Sequence, residues 1–252
     1  TTGSYNASFG CLEMGAPAGK PQVFVIGGNG RGIPVYRKLQ RAGIPFIAGV
    51  IHSNDLDYDV AKALAAELTG FEFASGIPGT IGGACVMNAG AYGGEMKGVL
   101  ESVTVLTGEG EIIELGRNEL ELGYRTSVIA KKGYIVLGAV LKLERGDGEK
   151  IKAYMDELKE KRVTKQPLEY PSAGSTFKRP EGYFAGKLIQ DAGLKGYQVG
   201  DAQVSEKHSG FVINRGNATA SDVMQLISDV KDKVKEQFGV TMEPEVKRVG
   251  RF

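Results

Sequence analysis

The 252-residue sequence has little cysteine and histidine, no tryptophan and no excess of charge of one sign. Its two cysteines, Cys11 and Cys85, are too few for a disulfide framework, and the only histidines, His52 and His208, do not complete a metal-binding pattern. We therefore expect no metal site. Lys and Arg number 31 against 30 Asp and Glu, a net charge of +1, which argues against a general nucleic-acid binder.

Long apolar runs are also missing. No stretch approaches the roughly 18 to 20 apolar residues that a membrane-spanning helix needs. Thr1–Lys20 lack the basic start and apolar run of a secretory signal. These absences predict a cytoplasmic protein without membrane partners, in which both thiols are idle.

The N-terminal part of the chain alternates between short apolar runs and helical patterns. Gln22–Ile26 and Pro45–Ile51 are predicted strands, and Pro34–Ala42 and Tyr58–Leu68 are predicted helices. This βαβα order is typical of a small parallel sheet.

After Gly70 the pattern changes to strands and long helices. Ser102–Leu106 and Ile112–Leu115 form a predicted hairpin, and Tyr134–Leu143 is a further strand. Two helices follow, at Lys150–Arg162 and Ser221–Phe238. The residues expected to face the core from the first helix are Ile151, Tyr154, Met155 and Leu158. The expected fold is α+β, with a βαβα N-terminal segment, a β-rich middle and an α+β C-terminal lobe.

Glycine is abundant, and seven of the 37 glycines fall in Ser75–Gly94, which we predict to be loop-rich. Within it, Gly76–Gly83 combines four glycines with Thr80, a composition that exposes backbone N–H groups and suits phosphate or the polar edge of a cofactor. A plain turn is the alternative. The small residues around Asn88 suggest a flat ligand lying against the chain.

Three further segments carry polar groups that a core does not need. Arg125, beside Thr126, suits a carboxylate or phosphate clamp, or else a surface salt bridge. Ser175 lies in a hydroxyl-rich segment between two prolines, which we predict to be a constrained loop; it either donates a proton or belongs to an ST-turn. Glu245, at the start of a short terminal strand, points into a site or faces solvent.

Taken in order, these segments resemble the UDP-N-acetylenolpyruvoylglucosamine reductase (UDP-N-acetylmuramate dehydrogenase) family, in its shorter class, over residues 67–252. The matching motifs are Gly70–Gly83, Asn88–Gly93, Gly123–Arg125, Pro171–Lys178, Ala185–Ile189, Ser205–Phe211 and Pro244–Val246.

The resemblance implies a two-stage reaction with FAD and NADPH. NADPH would give a hydride to FAD, which would pass it to UDP-N-acetylglucosamine enolpyruvate and yield UDP-N-acetylmuramate for peptidoglycan synthesis. In this pattern Ser175 takes the place of the proton donor. Arg125 and Glu245 take the places of the pair that holds and polarises the substrate carboxylate.

The resemblance also implies which residues contact the ligands. The residues expected to contact FAD are Gly76, Ile77, Pro78, Gly79, Thr80, Gly82, Gly83, Asn88 and Ala89. Those expected to contact the substrate are Lys178, Lys207 and His208. A monomer is expected.

Residues 1–66 do not show the family's usual first flavin-binding lobe and instead are similar to a domain appended to the ATPase of some iron-complex ABC importers. The expected organisation is therefore 1–69 as the βαβα segment, 70–147 as the flavin-binding region and 148–252 as the substrate-binding domain. Two alternative functions stay open: a non-catalytic UDP-sugar binding module that has lost flavin, and a small-molecule sensing module.

Overall fold

A computed structural model describes residues 55–247 and, before them, the backbone of four short strands. These strands are β1 (Tyr5–Asn6), β2 (Cys11–Leu12), β3 (Val23–Ile26) and β4 (Phe46–Gly49). β3 and β4 correspond to the two predicted N-terminal strands, and they pair in parallel as expected. The helix predicted at Pro34–Ala42 lies outside the described residues.

The chain divides into two compact units, Thr1–Lys159 and Glu160–Phe252. The three-part division at residues 69 and 147 stays a prediction. The mixed helix and strand content agrees with an α+β fold.

The first unit is built around a three-stranded antiparallel sheet with strand order β10–β8–β9. Its strands are β8 (Leu100–Leu106), β9 (Ile112–Gly116) and β10 (Ile135–Leu141). The predicted hairpin is confirmed, because Val103 pairs with Leu115 and Val105 with Ile113. Val103 and Val105 lie two residues apart on β8, so they point to the same face of the strand, and both are fully buried.

The helices of the first unit are short. They are α1 (Asp55–Ala65), α2 (Ile81–Met87), α3 (Met96–Val99) and α4 (Val128–Lys132), with a 3₁₀ turn at Glu72–Ala74. Two-stranded pairs connect them, namely β5 (Leu68–Thr69) with β11 (Glu144–Arg145) and β6 (Gly90–Ala91) with β7 (Gly94–Glu95). α1 ends three residues before the predicted boundary because Leu68 belongs to β5.

α5 (Gly148–Lys165) follows the first unit's last strand and contains the boundary between the units. Ile151 and Leu158 are buried as predicted, whereas Tyr154 is 41% exposed, so its assignment to the core was wrong. Tyr154 lies a whole turn before Leu158 but keeps its ring at the surface, where the phenol can contact water.

The second unit is a four-stranded antiparallel sheet with helices packed on it. Its strand order is β12–β15–β14–β13. The strands are β12 (Ser172–Ser175), β13 (Gln198–Val199), β14 (Ala202–Val204) and β15 (Phe211–Asn214), and the helices are α6 (Ala185–Asp191) and α7 (Ala220–Phe238).

α7 forms where the sequence predicted a helix, and its ends follow local rules. Thr219 and Asp222 make a reciprocal capping box at its start, and Gly239 ends it with a φ of 72°. Leu226, Val230 and Val234 are fully buried, at the spacing that faces one side of a helix.

Candidate functional site

The glycine-rich segment Gly76–Gly83 is not a loop throughout, because α2 begins at Ile81. The hydroxyl of Thr80 accepts the N–H of Gly83 at 3.1 Å, and its carbonyl accepts the N–H of Ala84 at 2.9 Å. Thr80 is therefore the N-cap of α2. The prediction of a loop-rich Ser75–Gly94 did not include this helix, which a capped turn and buried Ile81, Ala84 and Cys85 stabilise despite two glycines.

The preceding turn is fixed by an acidic side chain of α1. The N–H of Gly76 donates to Asp57 Oδ1 at 2.5 Å, and the N–H of Leu56 donates to the Gly79 carbonyl at 3.4 Å. The side of the turn at Gly79 is open, because a Cβ there would meet no atom within 4 Å. Gly82 and Gly83 are similarly uncrowded: a Cβ at either would come no nearer than 3.5 Å to the neighbouring side chains.

Asn88 is buried and ends α2 in the left-handed conformation, with a φ of 47°. Its side-chain amide donates to Glu95 Oε2 at 3.0 Å and to the Gly123 carbonyl at 3.1 Å. Its Oδ1 accepts the N–H of Lys97 at 2.8 Å. Both amide hydrogens are thus engaged within the protein, and one acceptor position of Oδ1 is left.

The segment after Asn88 is a tight hairpin. The N–H of the buried Ala89 donates to the Ala84 carbonyl at 2.9 Å. A Cβ at Gly90 would lie 2.7 Å from the Gly94 carbonyl oxygen, and one at Gly94 would lie 2.6 Å from Phe73. These two glycines are therefore required by packing inside the protein, whereas the sequence suggested that small residues here accommodate a ligand.

Arg125 lies in a turn closed by Gly123 and Thr126, which exchange hydrogen bonds of 3.1 and 3.3 Å. Its backbone is left-handed, with a φ of 55°. This conformation is energetically unfavourable for a residue that carries a Cβ. The guanidinium carbon lies 5.2 Å from the centre of the Tyr124 ring, and Nη2 is 3.5 Å from the Gly90 carbonyl oxygen.

The sequence did not single out Ser127, yet this residue is fully buried. Its Oγ accepts the N–H of Ala130 at 3.1 Å and so caps α4. The same hydroxyl donates to the Val86 carbonyl at 2.6 Å. A serine directly before the apolar pair Val128–Ile129 is the signal that would have identified this cap.

Ser175 is the last residue of β12, an edge strand, where the sequence predicted a loop. The next residue, Thr176, is buried, and its N–H donates to the Gly210 carbonyl at 2.8 Å. Its Oγ1 accepts the N–H of Val212 at 3.0 Å. The backbone on the C-terminal side of Ser175 is therefore fixed, while Ser175 itself is exposed.

The segment that contains Glu245 pairs with residues 176–178, which directly follow β12. The N–H of Glu245 donates to the Thr176 carbonyl, and the N–H of Lys178 donates to the Glu243 carbonyl, both at 2.8 Å. Phe177 and Pro244 form the bridge between these two hydrogen bonds. The Lys178 ammonium forms an ion pair with Glu243, which is largely exposed and therefore contributes little stability.

His208 lies beside Ser175 across Gly210. A Cβ built on Gly210 would come within 3.0 Å of His208 Cε1 and 3.7 Å of Ser175 Oγ. His208 Nδ1 accepts the N–H of Gly210 at 3.1 Å, which leaves Nε2 to carry the proton of the neutral ring. Burial lowers the pKa of His208, and the charge of Lys195 acts in the same direction.

The side chain of Lys207 contacts the C-terminal end of α5. Its Nζ donates to the Val163 carbonyl at 2.9 Å and lies 3.6 Å from Glu169 Oε2. A cation at the last carbonyls of a helix is favourable. Lys207 is one of the residues expected to contact substrate, and these contacts give it a structural role within the second unit.

The other titratable groups within residues 55–247 form no second candidate catalytic or metal site. Burial, reinforced by the charge of Asp59, raises the pKa of Cys85 to about 12, so its thiol stays protonated. No cluster of metal-ligating side chains occurs within residues 55–247. No helix in that part of the chain is long and apolar enough to cross a membrane.

Seven of the expected residues fall into two groups, whereas Gly76–Gly83 lie at the start of α2 and Lys207 contacts the end of α5. Asn88, Ala89 and Arg125 lie around one end of α2 in the first unit. Ser175, Lys178, His208 and Glu245 lie around the C-terminal end of β12 in the second unit.

Comparison with known proteins gives both groups a family context. The family model described as "UDP-N-acetylenolpyruvoylglucosamine reductase, C-terminal domain" matches residues 166–249, and "FAD binding domain" matches residues 57–116. The UDP-N-acetylenolpyruvoylglucosamine reductase of Clostridium perfringens is 51% identical over 249 residues, which cover 98% of this chain and 80% of that protein. The chain belongs to the UDP-N-acetylenolpyruvoylglucosamine reductase family.

Two further proteins of this family are also similar to the chain. The protein with that name from Agathobacter rectalis is 66% identical over 192 residues. The crystal structure of the reductase from Thermus caldophilus superimposes with a TM-score of 0.68 at 33% identity, covering 88% of this chain and 85% of that one. The resemblance to this family that the motifs indicated is confirmed.

The extent of the matches differs among the reductases. The chain spans 61% of the length of the Agathobacter rectalis protein. The Clostridium perfringens match covers 98% of the chain and so includes most of residues 1–66. The likeness of that segment to an importer-appended domain stays a prediction.

Proposed function

We propose that this protein catalyses the FAD-dependent reduction of UDP-N-acetylglucosamine enolpyruvate by NADPH, which forms UDP-N-acetylmuramate for peptidoglycan synthesis. The observation that carries the proposal is family membership at 51% identity over 98% of the chain. The arrangement of Ser175 and Glu245 on neighbouring backbone segments supports it.

The glycine-rich turn fits a flavin. Gly79 opens onto free space, and a Cβ at Gly82 or Gly83 would come no nearer than 3.5 Å to a neighbouring side chain. We assign the flavin contact to the backbone of Gly76–Gly83, with Ala89 and the backbone of Asn88 nearby in sequence. When bound, FAD supplies the hydride-transfer chemistry that no side chain of the chain can supply.

Ser175 is the proposed proton donor. It is exposed, while the hydrogen bonds of Thr176 fix the backbone directly after it. A neutral hydroxyl in a fixed position can deliver a proton to the carbon next to the substrate carboxylate, provided that its own proton is replaced. The neutral ring of His208, across Gly210 from the serine, carries its proton on Nε2 and is the proposed source of the replacement.

Arg125 and Glu245 are the proposed carboxylate pair. A guanidinium binds a carboxylate through paired N–H donors and stabilises the negative charge that develops as the enol forms. Lys178 is a candidate for binding the diphosphate of the substrate, since its ion pair with Glu243 is exposed and easily exchanged.

Because both NADPH and UDP-sugars are cytoplasmic compounds, we place the reaction in the cytoplasm, with the protein acting as a monomer.

The test uses the full chain purified without added cofactor. A yellow protein that oxidises NADPH only when the enolpyruvyl sugar is present is the expected result. A colourless protein that binds the UDP-sugar would instead support the non-catalytic binding module. A protein that neither binds flavin nor the sugar would contradict the proposed function.

A further inference from the structure

The turn that presents Arg125 is attached to the C-terminal end of α2 on both of its sides. Before Arg125, the Gly123 carbonyl accepts a hydrogen bond of 3.1 Å from Asn88 Nδ2. After it, the hydroxyl of Ser127 donates to the Val86 carbonyl at 2.6 Å. The turn between these two attachments consists of Tyr124, Arg125 and Thr126.

The attachment at Asn88 is specific to an amide. Its Nδ2 faces two oxygen acceptors, Glu95 Oε2 and the Gly123 carbonyl, while its Oδ1 faces the N–H of Lys97. An aspartate would bring a carboxylate against those two acceptors. The side chain is also buried, so these hydrogen bonds do not compete with water.

The backbone of Arg125 explains why the turn needs such attachments. A left-handed residue other than glycine is strained and persists only where its surroundings determine the conformation. Glycine at the neighbouring position 123 gives the turn freedom rather than rigidity. The bond from Asn88 to the Gly123 carbonyl restricts the backbone that carries the Arg125 side chain.

We propose that Asn88 is a positioning residue, which acts through the Gly123 carbonyl to hold Arg125 in the direction that binds the substrate carboxylate. Ser127 holds the other side of the turn in the same way. The inference rests on the proposed function of Arg125. It assigns the side chain of Asn88 to the substrate clamp, whereas its motif alone suggested a flavin contact.

Asn88→Gly is the informative substitution. Glycine adopts the left-handed conformation at no cost, so the variant removes the three side-chain hydrogen bonds without adding backbone strain. We expect kcat/KM for the enolpyruvyl sugar to fall by about 10- to 100-fold, as for other misplaced binding groups. Only the backbone of residue 88 is assigned to the flavin, and glycine retains it, so the flavin content and the rate at which NADPH reduces the flavin should stay unchanged.

Ser127→Ala should give a defect of the same kind, and Thr219→Ala is its matched control. Ser127 and Thr219 each cap a helix through a side-chain oxygen that accepts an N–H at 3.1 Å, but Thr219 lies in the second unit at α7. A similar loss of kcat/KM in both variants would attribute the effect to general destabilisation and overturn the positioning role.

A double substitution separates a positioning role from any independent role. In an Arg125→Ala background, Asn88→Gly should lower kcat/KM by less than about twofold, because the group that it positions is gone. Additive losses would overturn the proposal. A lower flavin content in Asn88→Gly alone would overturn it too, since the side chain would then serve the cofactor.

If the parent protein has no reductase activity, the proposed function is refuted. Amide hydrogen exchange then tests the role of Asn88 independently of that activity. The N–H groups of Gly123 and Thr126 bond across the turn. In Asn88→Gly their exchange should accelerate by about tenfold, with exchange in α7 unchanged. Unaltered exchange at both amides would show that Asn88 does not hold the turn.

Discussion

The backbone N–H of Glu245 donates a hydrogen bond of 2.8 Å to the carbonyl oxygen of Thr176, the residue that follows Ser175. Two residues with proposed roles in one reaction thus lie on adjacent backbone segments, although their motifs are far apart in the chain. The bridge between Phe177 and Pro244 continues this pairing. A change that disturbs the segment 243–245 should therefore also affect Ser175.

The first prediction concerns Ser175. Ser175→Ala should leave the reduction of the flavin by NADPH intact, because that step takes no proton from the serine. The reoxidation by the enolpyruvyl sugar should slow by about 10²- to 10⁴-fold, the usual contribution of general acid catalysis. Stopped-flow absorbance separates the two half-reactions.

Ser172→Ala is the matched control, since it removes a hydroxyl from the same strand. Its Oγ accepts only the N–H of Gly174, at 3.4 Å, among the hydrogen bonds of the described residues. Equal slowing of both half-reactions in Ser175→Ala would indicate that the serine shapes β12 rather than donating a proton.

The second prediction concerns Arg125. Arg125→Lys keeps the positive charge but loses the paired N–H donors, so the reoxidation rate should fall by about 10²-fold. Arg117→Lys is the control, because Arg117 also donates to a backbone carbonyl, that of Lys97, in the first unit. An unchanged rate in Arg125→Lys would remove the guanidinium from the carboxylate clamp.

The third prediction concerns the start of α2. Gly82→Ala places a Cβ at ordinary contact distance, 3.6 Å from Val136, so the helix should tolerate it and gain up to about 1 kcal/mol in free energy of unfolding. If FAD lies against this turn, the same methyl group should lower flavin occupancy, and valine should lower it further. Flavin absorbance and chemical denaturation measure the two effects.

Gly98→Ala is the corresponding control, because Gly98 is in α3 and a Cβ there would meet nothing within 4 Å. Full flavin occupancy in Gly82→Val would contradict the assignment of the cofactor to this segment.

The fourth prediction concerns His208 and pH. Burial lowers the pKa of His208 below the ordinary value of 6.5, so the unfolded chain binds this proton more readily than the folded chain. The free energy of unfolding should therefore decrease as the pH falls through and below 6.5. His208→Asn retains an acceptor for the Gly210 N–H, and its stability should depend less on pH over this range.

Urea denaturation at several pH values between about 7.5 and 5 tests this, since the difference between the two proteins isolates His208. Parallel pH profiles for parent and variant would refute the expected effect of burial.

Some of the fold could be predicted because its causes are local. The capping box of Thr219 and Asp222, the buried stripe from Leu226 to Val234 and the terminal Gly239 all lie within one continuous segment. The hairpin of β8 and β9 follows in the same way from alternating apolar residues on both sides of a glycine turn. Short-range periodicity determines such elements before any tertiary contact forms.

The glycine-rich stretch could not be predicted as well, because composition there favours a loop while packing favours a helix. α2 contains Gly82 and Gly83, but the cap at Thr80 and the burial of Ile81, Ala84 and Cys85 outweigh their cost. Helix propensity is a weak preference of about 1 kcal/mol per glycine, which a few buried side chains exceed.

By itself the sequence determined the family, the candidate residues Ser175, Arg125 and Glu245, and the longest helix of the second unit. Only the tertiary structure decided that Thr80 and Ser127 are helix caps, that Lys207 lies against the end of α5, and that Asn88 holds the turn of Arg125. The physical reason is that the residue type determines only which kinds of hydrogen bond a side chain is able to make. The partners of Asn88, such as the Gly123 carbonyl, are distant in sequence and become its neighbours only when the chain folds.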